Sequence, residues 1–538
     1  MKRIAALLLA LMMLLSLAAC GSQPEAPAEE PKVEATMGNE GLNQEVVVGT
    51  EPNVKYVEHM IMAIDTMPTT FDPGSNTAPV LNCLVWNELI GYNKLTKELE
   101  PELATEWNWV GDDCKVLHLE LRQGVKFQNG NDFTAADVEY TLSTCANTNI
   151  ASYYDHCDIK NDYSVDVYLS NANADFISIL TNTLYAGVKD KESCEADPDN
   201  GSAIGTGPWA LDLANTIPGD TIELVRNDNY FGELPAAKQL TLRYIKSAAS
   251  RLIALQNGEA HAMMSCGETD VPTIKADPNL MYCSGAGVGP AKMYYIGFNM
   301  KNGAAKDNIY LRQAVACVMN NADIILAAGD ANGVESDGAF WGYDTPYRVD
   351  TAKFQEDLSY NVERAKELVE LAKQEAGGTL PTLRLTGNTS KAINMNMCLV
   401  VQDACRQVGI DVVIEESDSA GVLAKTNPEN PDFDMIQYNV PLESWASAAN
   451  RMFTTGSSNN RAILSDPWVE DLLVEAAATK DDAKRADLYG QLQVYIHDNA
   501  IYIPSYYGSR DGAQVAGVEG IIWTNDGYPE FAYARMAE

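Results

Sequence analysis

Five histidines and eleven cysteines are the residues from which this chain could build metal or thiol chemistry, and their spacing argues against both. No Cys-x-x-Cys occurs, no two histidines stand one helical turn apart and His-Glu-x-x-His is absent, so a clustered zinc or redox centre lacks its ligands. No Gly-x-Ser-x-Gly marks a serine nucleophile. The 75 acids supply carboxylate pairs everywhere, so pairing alone names no reaction, and a secreted hydrolase stays as the alternative of another class. The run Asp330-Ala-Asn332-Gly-Val-Glu335-Ser-Asp337 carries the acids of a calcium loop, but Gly333 stands at the wrong place for an EF-hand. The expectation is a protein with no catalytic residue, no metal and no cofactor.

One cysteine has a different context. Lys2 and Arg3 precede an uncharged, largely apolar run from Ile4 to Ala19, too short to span a bilayer comfortably, which ends Leu17-Ala18-Ala19-Cys20. This is the grammar of an export signal. Leu-Ala-Ala-Cys resembles the lipobox of bacterial lipoproteins, which implies cleavage after a signal peptide of residues 1–19, lipidation of the Cys20 thiol and attachment at the outer face of the cytoplasmic membrane. From Gly21 to Asn53 the chain is rich in Pro, Glu, Ala, Gly and Gln, a composition that cannot offset chain entropy by burial, so residues 20–53 read as a lipidated tether.

Elsewhere the chain is strongly acidic. Removing residues 1–19 takes Lys2 and Arg3 from 38 basic residues and none of the 75 acids, deepening a net charge of −37 by two. Such a balance excludes nucleic acid, whose binding rests on cations against phosphate, and excludes a polybasic hold on anionic lipid. About 490 residues remain to fold, enough for two or three domains. Ten further cysteines fit an exported chain without fixing any disulfide; Cys266 and Cys283 are close enough in sequence to close a local loop.

The periodicities that must position any site are mixed. Residues 55–66 alternate like a strand before Pro68 to Gly74 break it, and Leu81 to Leu89 has helical spacing. Val116 to Phe127 reads as two strand pieces about Gly124, Asn129-Gly130 as a tight turn, and Thr134-Ala-Ala-Asp137 as a capping-box start for a helix carrying Val138, Leu142 and Cys145. An amphipathic helix from about Val362 to Ala376 ends at Gly377-Gly378. Leu383 to Thr386 as strand, Ile393 to Val408 as helix, Gly409 as its left-handed stop and Asp411 to Glu415 as strand make a βαβ crossover with parallel pairing. Asp481 to Asn499 reads as helix and Ala500 to Tyr507 as a buried strand. No repeat of 20–50 residues is visible.

Several motifs stand in an order that resembles one family. Thr70-Phe-Asp-Pro73, Glu100-Pro-Glu-Leu-Ala-Thr-Glu-Trp107, Leu121-Arg-Gln-Gly-Val-Lys-Phe-Gln-Asn-Gly130 and Phe133-Thr-Ala-Ala-Asp-Val138 are similar to the N-terminal signature of family-five extracellular solute-binding proteins of bacterial ABC importers, the oligopeptide, dipeptide and nickel type. The likeness continues through Gly205-Thr-Gly-Pro208, Arg226-Asn-Asp-Asn-Tyr-Phe-Gly232, Leu255-Gln-Asn-Gly-Glu259, Leu311-Arg-Gln-Ala-Val-Ala316, Ala365-Lys-Glu-Leu368 and Gly409-Ile-Asp-Val412. Each motif also has a structural reason, chiefly turns and unusual φ, so they mark the scaffold and not ligand contacts.

The resemblance implies a bilobed α/β periplasmic-binding-protein-like fold. Its domain I would comprise residues 54–88, 205–297 and 503–538, an extra domain II residues 89–204, and domain III residues 298–502. Ligand would lie between domains I and III, with hinge strands near 297 and 503. It implies a monomer that closes on a solute, most simply a peptide, and hands it to an ABC permease driven by ATPase subunits. The same fold could serve sugars or other small organics, or act as a peptide-signal receptor.

In relatives that take peptides, a domain III loop carries an acid that pairs with the ligand amine within a pattern like Trp-x-x-Asp-Tyr-x-x-Pro. The matching loop here is Gln437-Tyr-Asn-Val-Pro-Leu-Glu-Ser-Trp445, which puts Glu443 at the acid position although the Asp-Tyr pair is missing. Tyr438, Asn439 and Trp445 of that loop are lining candidates. So are Thr77 and Ala78 after the first strand, Asn388 and Thr389 at the end of a domain III strand, and the aromatic patch of Phe340, Trp341 and Tyr343, for which core packing is the stronger reading.

Overall fold

The computed structural model describes residues 54–73, 79–93, 96–182, 186–267, 269–285, 292–330, 332–343, 345–390, 392–442, 445–508, 510–523 and 528–538. Cys20, the tether, Thr77, Ala78 and Glu443 therefore lie outside the described residues.

Three sheets organise the chain. A seven-stranded sheet places His59–Ile64 at its centre, parallel to Gln239–Tyr244 and to Ala262–Met264. Asp511–Val515 runs antiparallel between Ala262–Met264 and Leu280–Ser284. A four-stranded antiparallel meander of Ala104–Trp109, Val116–Leu121, Ser164–Leu169 and Tyr154–Asn161 carries a separate core. A six-stranded sheet holds Lys292–Phe298 between Met435–Pro441 and Tyr502–Gly508, with Leu383–Asn388 and Val412–Ser417 parallel beyond and Val334–Glu335 at the other edge.

Local sequence explains many of these elements. Thr134 and Asp137 form the expected capping box, the Asp137 carboxylate accepting from Thr134 N at 2.8 Å, and the helix Ala135–Ser143 buries Val138 and Leu142. The βαβ unit is present as Leu383–Asn388, Ala392–Gln407 and Val412–Ser417, with Gly409 at φ +81° turning the chain back. Helix Val362–Glu375 ends before Gly377 and Gly378, both at positive φ. Tyr502–Gly508 is buried at every position, flanked by cores on both faces. The helix expected over Leu81 to Leu89 is only a 3₁₀ turn, Pro79–Leu81, and one α-turn, Asn82–Val85.

The motifs read as scaffold have concrete work. Gln128 donates to Val85 O and Trp209 O at 2.8 Å each and accepts from Gly205 N at 2.9 Å, tying the four-stranded lobe to the seven-stranded one. Gly205 and Gly207 lack the unusual φ expected of them. They are glycine because the chain passes against the backbone of Leu84 and Val85: a Cβ on Gly205 would stand 2.1 Å from Val85 O, and one on Gly207 2.5 Å from Leu84 O. Gly205→Ala should therefore lower stability by about 1–3 kcal/mol or more, read from the denaturant midpoint, since backbone on one side cannot give way. Arg312 of the Leu311-Arg-Gln-Ala motif is buried and donates to Asn499 O, Ala305 O and Lys306 O, joining three chain segments beneath the six-stranded sheet.

Candidate functional site

Strand direction identifies one place where the two larger sheets confront each other. In the seven-stranded sheet the carboxyl ends of the parallel strands, at Ile64, Tyr244 and Met264, share an edge with Ser284 and with the start of the antiparallel strand at Asp511. In the six-stranded sheet the carboxyl ends at Asn388, Ser417 and Pro441 share an edge with Lys292, Gly508 and Val334. The chain passes from one sheet to the other through residues 285–291 and returns through 509–510, so it joins these two edges. Carboxyl edges of parallel strands are where open α/β sheets present backbone and loops to a ligand.

Lys292–Phe298 and Tyr502–Gly508, the strands that contain residues 297 and 503, pair with each other along their length inside the six-stranded sheet.

The edge of the seven-stranded sheet is polar and partly buried. Arg251 donates to Ile245 O, Lys246 O, Met264 O and Ser265 O, gathering the carbonyls that end two adjacent chain segments. Asp65, the residue after the first strand, accepts from Ser265 Oγ at 2.7 Å. Burial pushes its pKa up, but that hydrogen bond and the charges of Arg510 and Arg251 outweigh it and hold the carboxyl below its ordinary value. Asp511 accepts from Cys266 N at 2.9 Å and from Tyr282 OH at 3.0 Å. Tyr282 OH in turn accepts from Asn332 Nδ2, which belongs to the loop leading into Val334–Glu335 of the opposite sheet. A chain of hydrogen bonds thus crosses the gap from Asn332 through Tyr282 to Asp511. Arg510 stacks on Tyr528 at 4.5 Å, and its Nε is buried without a hydrogen-bond partner among the described residues.

Burial, with the nearby charge of Asp330 adding to it, pushes the Asp511 carboxyl up to about 6. Its folded pKa is above the unfolded value, so its stabilising contribution is complete below about pH 4 and is lost as pH rises through 6. Asp511→Asn should remove a stability difference of about 1 kcal/mol between pH 5 and 7, part of a full span of at most about 3 kcal/mol from below pH 4 upward, measured as the change in urea midpoint relative to wild type. Glu102, pushed up to about 7 by burial, acts in the same window, so the difference between variant and wild type is the informative quantity.

The residues expected to line the site are dispersed. Asn388 and Thr389 do end a strand on the facing edge, where Asn388 bonds Ser419 Oγ and Thr389 N donates to Ser417 O. Asn439 and Tyr438 lie inside the sheet, paired with Tyr294 and Tyr295, and Arg461 sits 5.1 Å over the Tyr438 ring. Phe340 and Trp341 are core residues, the stronger of the two readings made for them and not the lining one: Phe340 packs on Tyr295, Tyr502 and Phe453, and Trp341 on Tyr489. Trp445 is 3% exposed and enters the core of the four-stranded lobe, at the edge of a cavity of about 450 Å³. Aromatic side chains near predicted loops satisfied the apolar demand of packing first. The edge groups Asp65, Tyr282, Arg510 and Asp511 were missed. Asp65 directly follows a strand and carried a usable signal; the others are gathered only by tertiary pairing.

Among the described residues no group of three or more His, Cys, Asp or Glu side chains could hold a metal, and no helix is long and apolar enough to cross a membrane. The ten described cysteines, Cys266 and Cys283 included, are free thiols.

Residues 98–462 match the family description "Bacterial extracellular solute-binding proteins, family 5 Middle". The dipeptide-binding protein of Escherichia coli strain K12 is 26% identical over 81% of this chain and 84% of its own length. The nickel-binding periplasmic protein of the same organism is 24% identical over 79% of this chain and 84% of its own. Among solved structures, the ABC transporter substrate-binding protein CtaP from Listeria monocytogenes superposes with a TM-score of 0.79 at 19% identity, covering 90% of this chain and all of that one.

Proposed function

The chain belongs to the bacterial extracellular solute-binding proteins of family 5, transport receptors and not enzymes, and from that premise we propose that it captures a peptide between the two facing sheet edges. Membership sets the hydrolase alternative aside. The observation that carries the peptide reading is the mixed charge of the edge: Asp65 and Asp511 stand beside Arg510 and Arg251, with an Arg510 Nε that has no partner among the described residues. A zwitterion offers both an ammonium for half-buried carboxylates and a carboxylate for a half-buried guanidinium. The dipeptide-binding relative supports the same ligand class.

Capture proceeds by rotation of one sheet's lobe against the other, with the paired strands near 297 and 503 as the hinge, because only a closed arrangement touches a solute from both edges. The closed form, a monomer, delivers its load to an ABC permease with its ATPase subunits. Cys20 carries the lipid that keeps it at the outer face of the cytoplasmic membrane. Cys20→Ser should abolish incorporation of an alkyne fatty acid and move the protein from the membrane fraction to the medium or periplasm.

Mass spectrometry of solute released from gently purified protein tests the ligand. Short peptides are the expected result; a nickel chelate, a haem, a sugar or another organic in stoichiometric amount would overturn the peptide assignment.

A further inference from the structure

Apart from the two passages, residues 292–508 are held to the rest of the molecule only by non-covalent contact. One such contact lies far along the chain from either passage and involves the four-stranded lobe. Every fully buried member of that lobe's core lies between Leu89 and Val188 except Trp445, which comes from the other side. Beside it Asp175 and Arg485, 6% exposed each, form an ion pair at 2.5 Å. The second Asp175 oxygen accepts from Ser447 N at 2.6 Å. Ala174 N donates to Ala477 O at 2.8 Å, and Lys480 reaches Gly111 O and Asp112. Arg485 is stacked 4.8 Å over Tyr347, whose hydroxyl it also meets.

The chemistry of this interface suits a contact that is made and broken. An ion pair buried against another lobe gives up hydration when it forms and regains it when it parts, so opening strands neither charge, and the closed form keeps the modest surplus that the additional hydrogen bond from Ser447 N supplies. A wholly apolar interface of that kind would be costly to expose. A single indole entering a core supplies the apolar attraction, and the charges supply register.

We propose that Asp175, Arg485, Ser447 and Trp445 form a second closure contact, a reversible clamp between the four-stranded and six-stranded lobes that raises the population of the closed arrangement before any solute is bound. The proposal rests on the capture reading, since a clamp matters only if the lobes part. Its residues act on affinity without touching the ligand, through the fraction of molecules already closed.

The test uses the lipid-free mature protein and the paired variant D175N with R485Q, which removes both charges without leaving one buried alone. Hydrogen exchange by mass spectrometry should rise about tenfold or more in fragments containing Ala174 and Ser447. Fragments covering Val116–Leu121 and Lys292–Phe298 should keep wild-type protection, and the radius of gyration should increase. Unchanged exchange at Ala174 and Ser447 overturns the clamp, and so does a rise of equal size in all fragments, which would mark a permanent part of the fold. R485K is the conservative control: partial recovery of protection supports an electrostatic clamp. Addition of a tryptic casein digest separates the two ideas: an opened variant that no peptide recloses leaves the clamp standing and removes peptide capture.

Discussion

Arg485→Ala is expected to disfavour the closed arrangement by about 3–5 kcal/mol, because it leaves the Asp175 carboxylate buried with a backbone amide as its remaining partner. Where that energy appears is the informative part. If the lobes separate, Asp175 regains water on opening, so the loss shows as weaker solute binding and faster exchange at Ser447, with little change in the denaturant midpoint of the cores. If the lobes cannot separate, the whole loss shows in global unfolding. Titration calorimetry with the identified solute and a urea melt on the same preparation distinguish the two.

Glu443→Ala carries the second large effect, a loss of about 2–5 kcal/mol in binding of a ligand with a free amino group. The expectation rests on the resemblance in sequence order, which puts Glu443, two residues after the strand ending at Pro441, at the position of an amine-pairing acid. The magnitude is that of an ammonium losing its counter-charge on leaving water. N-acetylated ligand should bind wild type and variant about equally. Calorimetry showing unchanged affinity for the free-amine ligand would discard the role.

Much of the scaffold was legible from local rules. The capping box at Thr134, the glycine stop at Gly409 and the βαβ unit from Leu383 to Ser417 each follow from three or four neighbouring residues, and each is present. The site was less legible because its parts are distant in sequence. Asp65, Tyr282, Asn332 and Asp511 meet only after two sheets form and two passages join their edges. Phe340 and Trp341, for which core packing was already the stronger reading, complete a core between Tyr295 and Tyr489. The glycines of Gly205-Thr-Gly-Pro208 were assigned a conformational reason when the operative one is close backbone approach, a tertiary fact.

The acid content now has a division of labour. Most carboxylates are exposed and keep the protein dispersed. A few are buried or half-buried with specific partners: Asp511 and Asp65, half-buried at the facing edges, Asp175, buried at the lobe contact, and Asp434, buried and accepting from Arg384 N and Ala304 N. Net charge reports the first group and conceals the second.

Small-angle X-ray scattering of ligand-stripped protein, with and without the solute identified by mass spectrometry, tests capture by closure most directly. The radius of gyration should fall on saturation, by more in the D175N and R485Q variant than in wild type, and the solute should be recovered chemically intact. A radius that stays constant in both proteins at saturating solute, or a solute returned as product, would contradict the account.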